Sequence, residues 1–299
     1  MTTMNSSKYT PMKQYMKVIA VLNMKGGVGK TTSSLNIAAG LANKGYKVLL
    51  IDIDPQANST DILLDIKHEE LTLNPEVLSA INSMDIEALD KALASLSSHV
   101  SREIYIDEML VDAEKTEAYE STIENLDIIP SRLELANVER DIRTSNAALH
   151  LRLIKVIKKL KKDYDYIIID CPPIINALTI NVLNAADEVI APIKIDRGAE
   201  KGLMMTIREL IEIAESYNLD ILIRPLFTMV QLNNTDKHRI EVLKQFENEI
   251  VKPIQVTVRH QEKPISTSSY VNKIIINDPR ANVGKDYQSV VDYLEEIWN

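Results

Sequence analysis

Six short apolar runs rich in β-branched residues alternate along the chain with segments of helical periodicity. The runs occupy residues 17–23, 47–53, 126–130, 164–170, 188–195 and 221–227. Continuous runs of this kind suit strands that are covered on both faces. Helix-length segments with apolar residues three or four apart lie between them, notably residues 32–44, 149–162 and 201–217. The alternation predicts right-handed βαβ units and an α/β fold: a doubly wound, mostly parallel sheet with helices on both faces.

An acidic stretch, at about residues 61–125, interrupts this alternation. Residues 60–125 hold 16 acidic and 4 basic side chains, and they show helical patterning without a strong strand. We interpret the stretch as a mainly helical acidic insertion in a single domain, residues 17–299. Residues 1–16 are polar and are expected to form a flexible N-terminal arm.

The composition excludes several classes of protein. Of the 299 residues, 45% are hydrophobic and 26% are charged, which is typical of globular chains rather than disordered ones. The single cysteine, Cys171, rules out an intramolecular disulfide framework and a cysteine-only metal site within one chain. We expect Cys171 to be a small buried filler. The chain has neither an 18-residue apolar run nor the pattern of a secretory signal, so a cytoplasmic protein is expected.

A glycine-rich segment, KGGVGKTT, directly follows the first predicted strand and precedes the first predicted helix. This order is the context of a phosphate-binding loop. Glycines let successive backbone N–H groups point at phosphate oxygens, and the following helix N-terminus adds its positive dipole end. The Lys30 ammonium would offset the charge of the β and γ phosphates, and the Thr31 hydroxyl would be a ligand of Mg²⁺. The predicted phosphate-binding residues are Gly26, Gly27, Val28, Gly29, Lys30, Thr31 and Thr32.

Aspartates stand at the ends of two further predicted strands. Asp52 and Asp54 are two residues apart, so both carboxylates point to the same side of the second strand. Asp170 ends the run YDYIIID, at the position of the Walker B carboxylate that binds Mg²⁺ usually through a water. Because the carboxyl ends of parallel strands meet at one edge of a sheet, these acids are expected near the glycine-rich loop. Thr31, Asp52 and Asp170 form the predicted metal site.

The loop resembles the deviant Walker A loop, KGGxxK[ST], of the family that contains ParA, MinD, the nitrogenase iron protein and the arsenite-pump ATPase. In that family the additional lysine, which is Lys25 here, reaches across a dimer interface to the nucleotide of the facing subunit. The resemblance also implies that Asp54 orients the attacking water and that Asp52 lies close to the Mg²⁺ network. It implies ATP and Mg²⁺ as cofactors, and Lys25, Lys30 and Asp54 as catalytic residues.

Within this family the chain is most similar to ParA. The string KVLLIDIDPQANST resembles the ParA stretch VLLIDxDPQgN, and the likeness extends over roughly residues 17–297. A single cysteine is incompatible with the iron protein's cluster. The end of the chain, DYQSVVDYLEEIWN, carries no lysine or arginine, unlike the basic membrane-binding helix of MinD. No membrane partner is therefore expected.

The resemblance to ParA implies a partition ATPase. Such a protein forms a Mg·ATP-dependent homodimer that binds double-stranded DNA without sequence preference, which places it on the nucleoid. It hydrolyses ATP weakly, with stimulation by a ParB-type or ribbon-helix-helix centromere-binding protein. Two alternatives stay open at this point: a metabolic ATP-dependent ligase of the same superfamily, such as a dethiobiotin or cobyrinic acid enzyme, and a MinD-like positioning ATPase that does not contact DNA.

The distribution of charge suggests where DNA would bind. The formal net charge of −9 argues against a chain that coats nucleic acid through bulk charge. Residues 252–285, however, hold 6 basic and 2 acidic side chains. A contact without sequence preference needs only lysines and arginines placed to reach phosphates. The candidates are Arg259, Lys263, Lys273 and Arg280, with Lys237 and Arg239 as a second choice.

Overall fold

The computed structural model describes residues 16–66, 75–97, 104–138, 149–231, 233–260 and 274–298. The predicted N-terminal arm lies outside these ranges except for Met16, and so do Lys263 and Lys273. The single-domain assignment therefore stays a prediction.

Seven strands are found in the described ranges: β1 (Lys17–Val21), β2 (Val48–Asp52), β3 (Tyr119–Glu120), β4 (Leu126–Ile129), β5 (Tyr166–Asp170), β6 (Glu188–Lys194) and β7 (Leu222–Thr228). Their order across the sheet is β3-β4-β2-β5-β1-β6-β7. All neighbours pair in parallel except β3 and β4, which are antiparallel. The predicted mostly parallel sheet is confirmed, and its six predicted strands match the six longer ones.

Ten α-helices lie wholly within these ranges: α1 (Lys30–Asn43), α2 (Asn58–Leu63), α3 (Pro75–Ser83), α4 (Ile86–Ser97), α5 (Ile106–Val111), α6 (Arg152–Lys158), α7 (Ala177–Ala185), α8 (Ala199–Tyr217), α9 (Asn234–Lys244) and α10 (Asn282–Trp298). Residues 135–138 are helical as well. Short 3₁₀ turns occur at Ala113–Lys115, Leu149–Leu151 and Ile275–Asn277. The predicted helix over residues 149–162 is shorter than expected. The amide of Lys159 donates to the carbonyls of Val156 and Ile157 and closes the last turn there.

Successive residues of the central strands point to opposite faces, and both faces are buried. In β5, Ile167 and Ile169 pack into a core with α5, α6 and α7, whereas Ile168 packs into a second core with α1 and α10. All five residues of β5 are buried. A strand covered in this way needs apolar residues at every position, which explains why the strands appear in the sequence as continuous apolar runs.

The acidic insertion is mainly helical in its described parts, as predicted. Its described parts hold α3, α4 and α5, and α2 lies at its start. It also contributes the two-residue strand β3, which adds an antiparallel edge to the sheet beside β4. Two residues are too few to give a periodic signal, so the sequence did not indicate this strand.

The last helix, α10, packs along α1, the helix that begins at the glycine-rich loop. The Ser33 and Tyr287 hydroxyls lie 3.1 Å apart in the buried interface between the two helices. Near the start of α10, the backbone of Gly284 approaches the 3₁₀ turn so closely that a Cβ there would lie 2.5 Å from the Ile275 carbonyl oxygen. Only glycine fits at this approach.

We predict that Gly284→Ala lowers the free energy of unfolding by about 1–3 kcal/mol, because the added methyl group meets a backbone atom that cannot rotate away. The matched control is Gly202→Ala in α8, where a Cβ would have no neighbour within 4 Å. This change should raise stability by about 0.5–1 kcal/mol, since alanine is the better helix former. Urea unfolding of both variants measures the difference, and equal midpoints would contradict the predicted clash.

Candidate functional site

The glycine-rich loop and the three aspartates meet at the carboxyl edge of the sheet. The loop follows β1, which lies beside β5, and β5 lies beside β2. Asp170 at the end of β5 is the register partner of both Val21 and Asp52. The parallel sheet thus brings together residues that are more than a hundred positions apart in the chain.

The loop has the backbone that a phosphate cradle requires. Gly27 and Gly29 adopt φ angles of 69° and 91°, in the left-handed region that favours glycine. Gly29 is also the N-cap of α1, and no side chain caps that helix end. Its first N–H groups are therefore available to an anion. The Thr228 hydroxyl at the end of β7 donates to the Val28 carbonyl at 2.8 Å and fixes the loop from the other side.

The Lys30 side chain lies inside the loop. It is only 8% exposed, and its ammonium donates to the Lys25 carbonyl at 3.2 Å. Burial lowers the pKa of Lys30, and the nearby carboxylates of Asp170 and Asp54 act in the opposite direction. The structure thus places this ammonium between the loop and the acidic strand ends.

Asp52 and Asp170 are buried and held by neighbouring hydroxyl and amide groups. Asp52 accepts hydrogen bonds from the amide and hydroxyl of Thr60, at 2.9 and 2.8 Å. Asp170 accepts from the Ser34 hydroxyl at 2.9 Å and from the Ser59 hydroxyl at 2.7 Å. Burial still raises the pKa of both acids, that of Asp170 to about 6 and that of Asp52 well above its usual range.

The site therefore holds more acidic than basic side chains in a buried place. Asp52, Asp54 and Asp170 are each at most 9% exposed, and the buried cation beside them is Lys30. A divalent cation would offset this excess, so the donor set fits Mg²⁺. No group of three or more His, Cys, Asp or Glu side chains in the described ranges could hold a metal by itself. A magnesium ion here would take further ligands from phosphates and water, which is its usual preference.

Asp54 begins a turn that brings other groups to the site. Its carboxylate accepts from the Gln56 amide at 3.0 Å, and Ala57 follows with a φ of 53° before α2 starts. This turn presents Ser59 and Thr60 to the carboxylates of Asp170 and Asp52. The string that follows the two aspartates, PQANST, thus supplies groups that hold the neighbouring acids in place.

Lys25 and the residues around it form the outer part of the site. Its amide donates to the buried Asn23 side chain at 2.8 Å, and Asn23 in turn donates to the Pro192 carbonyl at 2.7 Å. The Lys25 ammonium pairs with Asp196 at 2.7 Å, and its side chain is 47% exposed. The loop is therefore connected to β6 and to the segment that leads into α8.

The sequence did not single out Asn23, Ser59, Thr60, Thr228 or Asp196. Asn23 adjoins the glycine-rich loop, and Ser59 and Thr60 end the string DIDPQANST, so proximity to a motif was an available signal for these three. Thr228 and Asp196 lie about 200 and 171 residues from their loop partners. Nothing local in the sequence marks such contacts.

The two described DNA-binding candidates differ in how they are held. Arg259 forms a bidentate ion pair with Asp286, in which both contacts measure 2.7 Å, and its side chain is 33% exposed. The Arg280 side chain is 85% exposed and contacts Asp278 at 3.2 Å. Among the second choices, Arg239 pairs with Glu200, and Lys237 is exposed on α9. Arg280 is thus more accessible to a polyanion than Arg259.

Nothing in the described helices indicates a membrane span: none combines the length and the apolar character that a crossing needs.

Comparison with known proteins places these features in one family. A family model described as an AAA domain matches residues 16–223. The sporulation initiation inhibitor protein Soj of Bacillus subtilis is 34% identical, over 94% of this chain and 98% of its own length.

Solved structures share the fold. A plasmid partition protein of Borrelia burgdorferi, bound to AMPPNP, is 25% identical with a TM-score of 0.68, covering 95% of this chain and all of that one. The cobyrinic acid a,c-diamide synthase of Mycobacterium smegmatis, with a bound ATP analogue and magnesium, has a TM-score of 0.65 at 24% identity. It covers 95% of this chain and 96% of its own. At that identity the second likeness shows the fold alone.

We predict that Asp170→Asn stabilises the protein at pH 7 when no nucleotide is added. Burial raises the pKa of Asp170 to about 6, so the folded protein binds this proton more tightly than the unfolded chain. The contribution of Asp170 to the free energy of unfolding is greatest below about pH 4, the pKa of an unperturbed aspartate. This contribution is lost as the pH rises towards 6. The side-chain amide of the variant does not ionise and so avoids that loss. The free energy of unfolding of the variant should exceed that of the wild type by about 1–3 kcal/mol at pH 7, and the difference should vanish near pH 4.

Urea unfolding at both pH values measures this effect, with Asp220→Asn at an exposed position as the control. A destabilisation of the Asp170 variant that is the same at pH 4 and pH 7 would refute the electrostatic explanation.

Proposed function

The chain belongs to the family of partition ATPases that includes Soj and ParA, and we propose that it acts as a molecular switch driven by Mg·ATP. In this proposal ATP closes a homodimer, the dimer binds DNA without sequence preference, and hydrolysis releases the DNA. The observation that carries the proposal is the meeting of the glycine-rich loop, Lys30 and three buried carboxylates at one sheet edge.

We assign the phosphates to the backbone amides of the loop and to the Lys30 ammonium. The Thr31 hydroxyl would bind Mg²⁺ directly and Asp170 would bind it through water. Both Asp52 oxygens already accept hydrogen bonds from Thr60 and Asp54, which supports a role for Asp52 in orienting this network rather than as a direct ligand. Bound Mg²⁺ would supply charge neutralisation to the transferring phosphoryl group. Asp54 would orient the attacking water.

The dimer is proposed to form on the face that carries Lys25. Two polyanionic nucleotides that face each other need cations to offset their repulsion, and Lys25 is partly exposed beside the loop. Exposed apolar side chains lie on adjoining segments. Ile174 is 52% exposed just after Asp170 and β5, and Met204 and Met205 are 51% and 47% exposed on α8. Such apolar surface is typical of an interface with another chain.

DNA binding is proposed for the basic region that includes Arg280. An exposed guanidinium can pair with backbone phosphates without reading the bases. Dimer closure would double the number of such contacts, which makes binding depend on nucleotide. A centromere-binding protein of the ParB or ribbon-helix-helix type is the proposed partner, and association with the nucleoid would follow from DNA binding.

A metabolic ligase is disfavoured by two sequence features. The fold shared with cobyrinic acid a,c-diamide synthase does not distinguish the two functions, because ligases and partition ATPases use the same sheet and loop. The string DPQ after Asp52 and the additional lysine, Lys25, instead resemble partition proteins of the ParA type.

Retention on immobilised double-stranded DNA of arbitrary sequence tests the switch. In Mg²⁺ buffer we expect retention with ATP and none with ADP or without nucleotide. Lys30→Ala should abolish retention, because the loop loses the cation that offsets the phosphates. Asp54→Ala should retain DNA with ATP but hydrolyse ATP about 100-fold more slowly. Retention that is independent of nucleotide would overturn the proposal, and normal turnover by Asp54→Ala would remove its assigned role.

In the same assay Arg280→Ala should weaken retention and reduce its dependence on salt concentration, while ATP binding is unchanged. Lys162→Ala is the matched control, because it also removes an exposed cation that pairs with an aspartate. Equal retention by both variants would place the DNA face elsewhere.

A further inference from the structure

Lys25 is held within its own chain at three points. Its amide donates to Asn23 at 2.8 Å, and its carbonyl accepts from the Lys30 ammonium at 3.2 Å. Its own ammonium pairs with Asp196 at 2.7 Å. The first two contacts fix the backbone of the loop. The pair with Asp196 fixes only the direction of the Lys25 side chain.

Asp196 is itself fixed in position to receive this lysine. It lies two residues beyond β6, and one carboxylate oxygen accepts from the Gly198 amide at 2.9 Å just before α8. The other oxygen accepts from Lys25. The Lys25 ammonium lowers the pKa of Asp196, so the carboxylate is charged at neutral pH. A charged, pre-oriented acceptor thus faces a cation whose proposed task lies in another subunit.

We propose that Asp196 is a positioning residue that retains Lys25 in its own subunit and thereby opposes closure of the dimer. This inference rests on the proposed function, in which Lys25 reaches the nucleotide of the facing subunit. In this proposal the Lys25 ammonium leaves Asp196 when it reaches a phosphate of the other subunit. Closure therefore breaks two such pairs, one in each subunit.

The expected change in the dimer dissociation constant is small for the loss of one ion pair and measurable for the loss of two. Both side chains are partly exposed, at 47% for Lys25 and 35% for Asp196, so water and salt screen their attraction. An exposed ion pair of this kind shifts an equilibrium by about 1.4- to 5-fold. Loss of two pairs should tighten the dimer by about 2- to 30-fold. The effect should decrease as the salt concentration rises.

The first measurement concerns the pair itself and uses the full chain without nucleotide. Lysines are labelled for a short time with an acetylating reagent, and the rate at each site is read by mass spectrometry. Asp196→Asn should label faster at Lys25 than the wild type does, because the ammonium is no longer engaged. The conservative variant Asp196→Glu should restore the slow rate. Unchanged labelling at Lys25 in Asp196→Asn would overturn the proposal.

The second measurement concerns the dimer. Analytical ultracentrifugation with saturating AMPPNP and Mg²⁺ gives the dimer dissociation constant. We expect a lower constant for Asp196→Asn than for the wild type. An unchanged constant, or a higher one, would overturn the proposal, since a higher constant means that Asp196 supports the closed dimer instead.

The matched control is Asp127→Asn, which frees Lys162 from a pair at 2.9 Å elsewhere on the surface. It should leave both the labelling of Lys25 and the dimer constant unchanged. If the wild type itself forms no dimer with AMPPNP, the proposed function fails. A wild-type dimer that is matched in strength by Asp196→Asn contradicts this inference alone.

Discussion

The proposed site is built on an unbalanced group of acidic and basic side chains buried at the carboxyl edge of the sheet. Asp52, Asp54 and Asp170 converge there from two neighbouring strands, with the buried Lys30 as the cation beside them. Burial raises the pKa of Asp52 and Asp170 although serine, threonine and backbone groups donate to them. In this buried place a divalent cation and the phosphates bound with it would be stabilised more strongly than they are in water. We propose that nucleotide binding and switching both depend on this imbalance.

In the proposed switch, the surroundings of the loop would pass changes at the phosphates to the surface. Thr228 holds the loop from β7, and Asn23 connects it to β6 and to Thr206 of α8. The same region carries the exposed methionines of α8 and the carboxylate of Asp196. A nucleotide that repositions Lys25 or Lys30 would therefore act directly on the segments that adjoin the proposed dimer face, without a long-range relay.

The sequence predicted what local patterns encode. Strands buried on both faces appear as continuous apolar runs, so β1, β2 and β4–β7 were predicted to within two residues at each end. The glycine-rich loop and the strand-end aspartates were placed by their context. Partners that meet only through the tertiary fold were not predicted, such as Asp196 for Lys25 or Thr228 for Val28. The engagement of Arg259 by Asp286 on α10 was also beyond local patterns, because it depends on how that helix packs.

The most direct test is a crystal structure of the full chain with AMPPNP and Mg²⁺. We predict that the triphosphate lies against the amides of Gly27–Thr31 and that the Lys30 ammonium leaves the Lys25 carbonyl for a β or γ phosphate oxygen. The metal should be bound by the Thr31 hydroxyl, with Asp170 one water away. A triphosphate bound elsewhere, or a metal that does not approach the ends of β2 and β5, would contradict the assignment of this edge of the sheet as the Mg·ATP site.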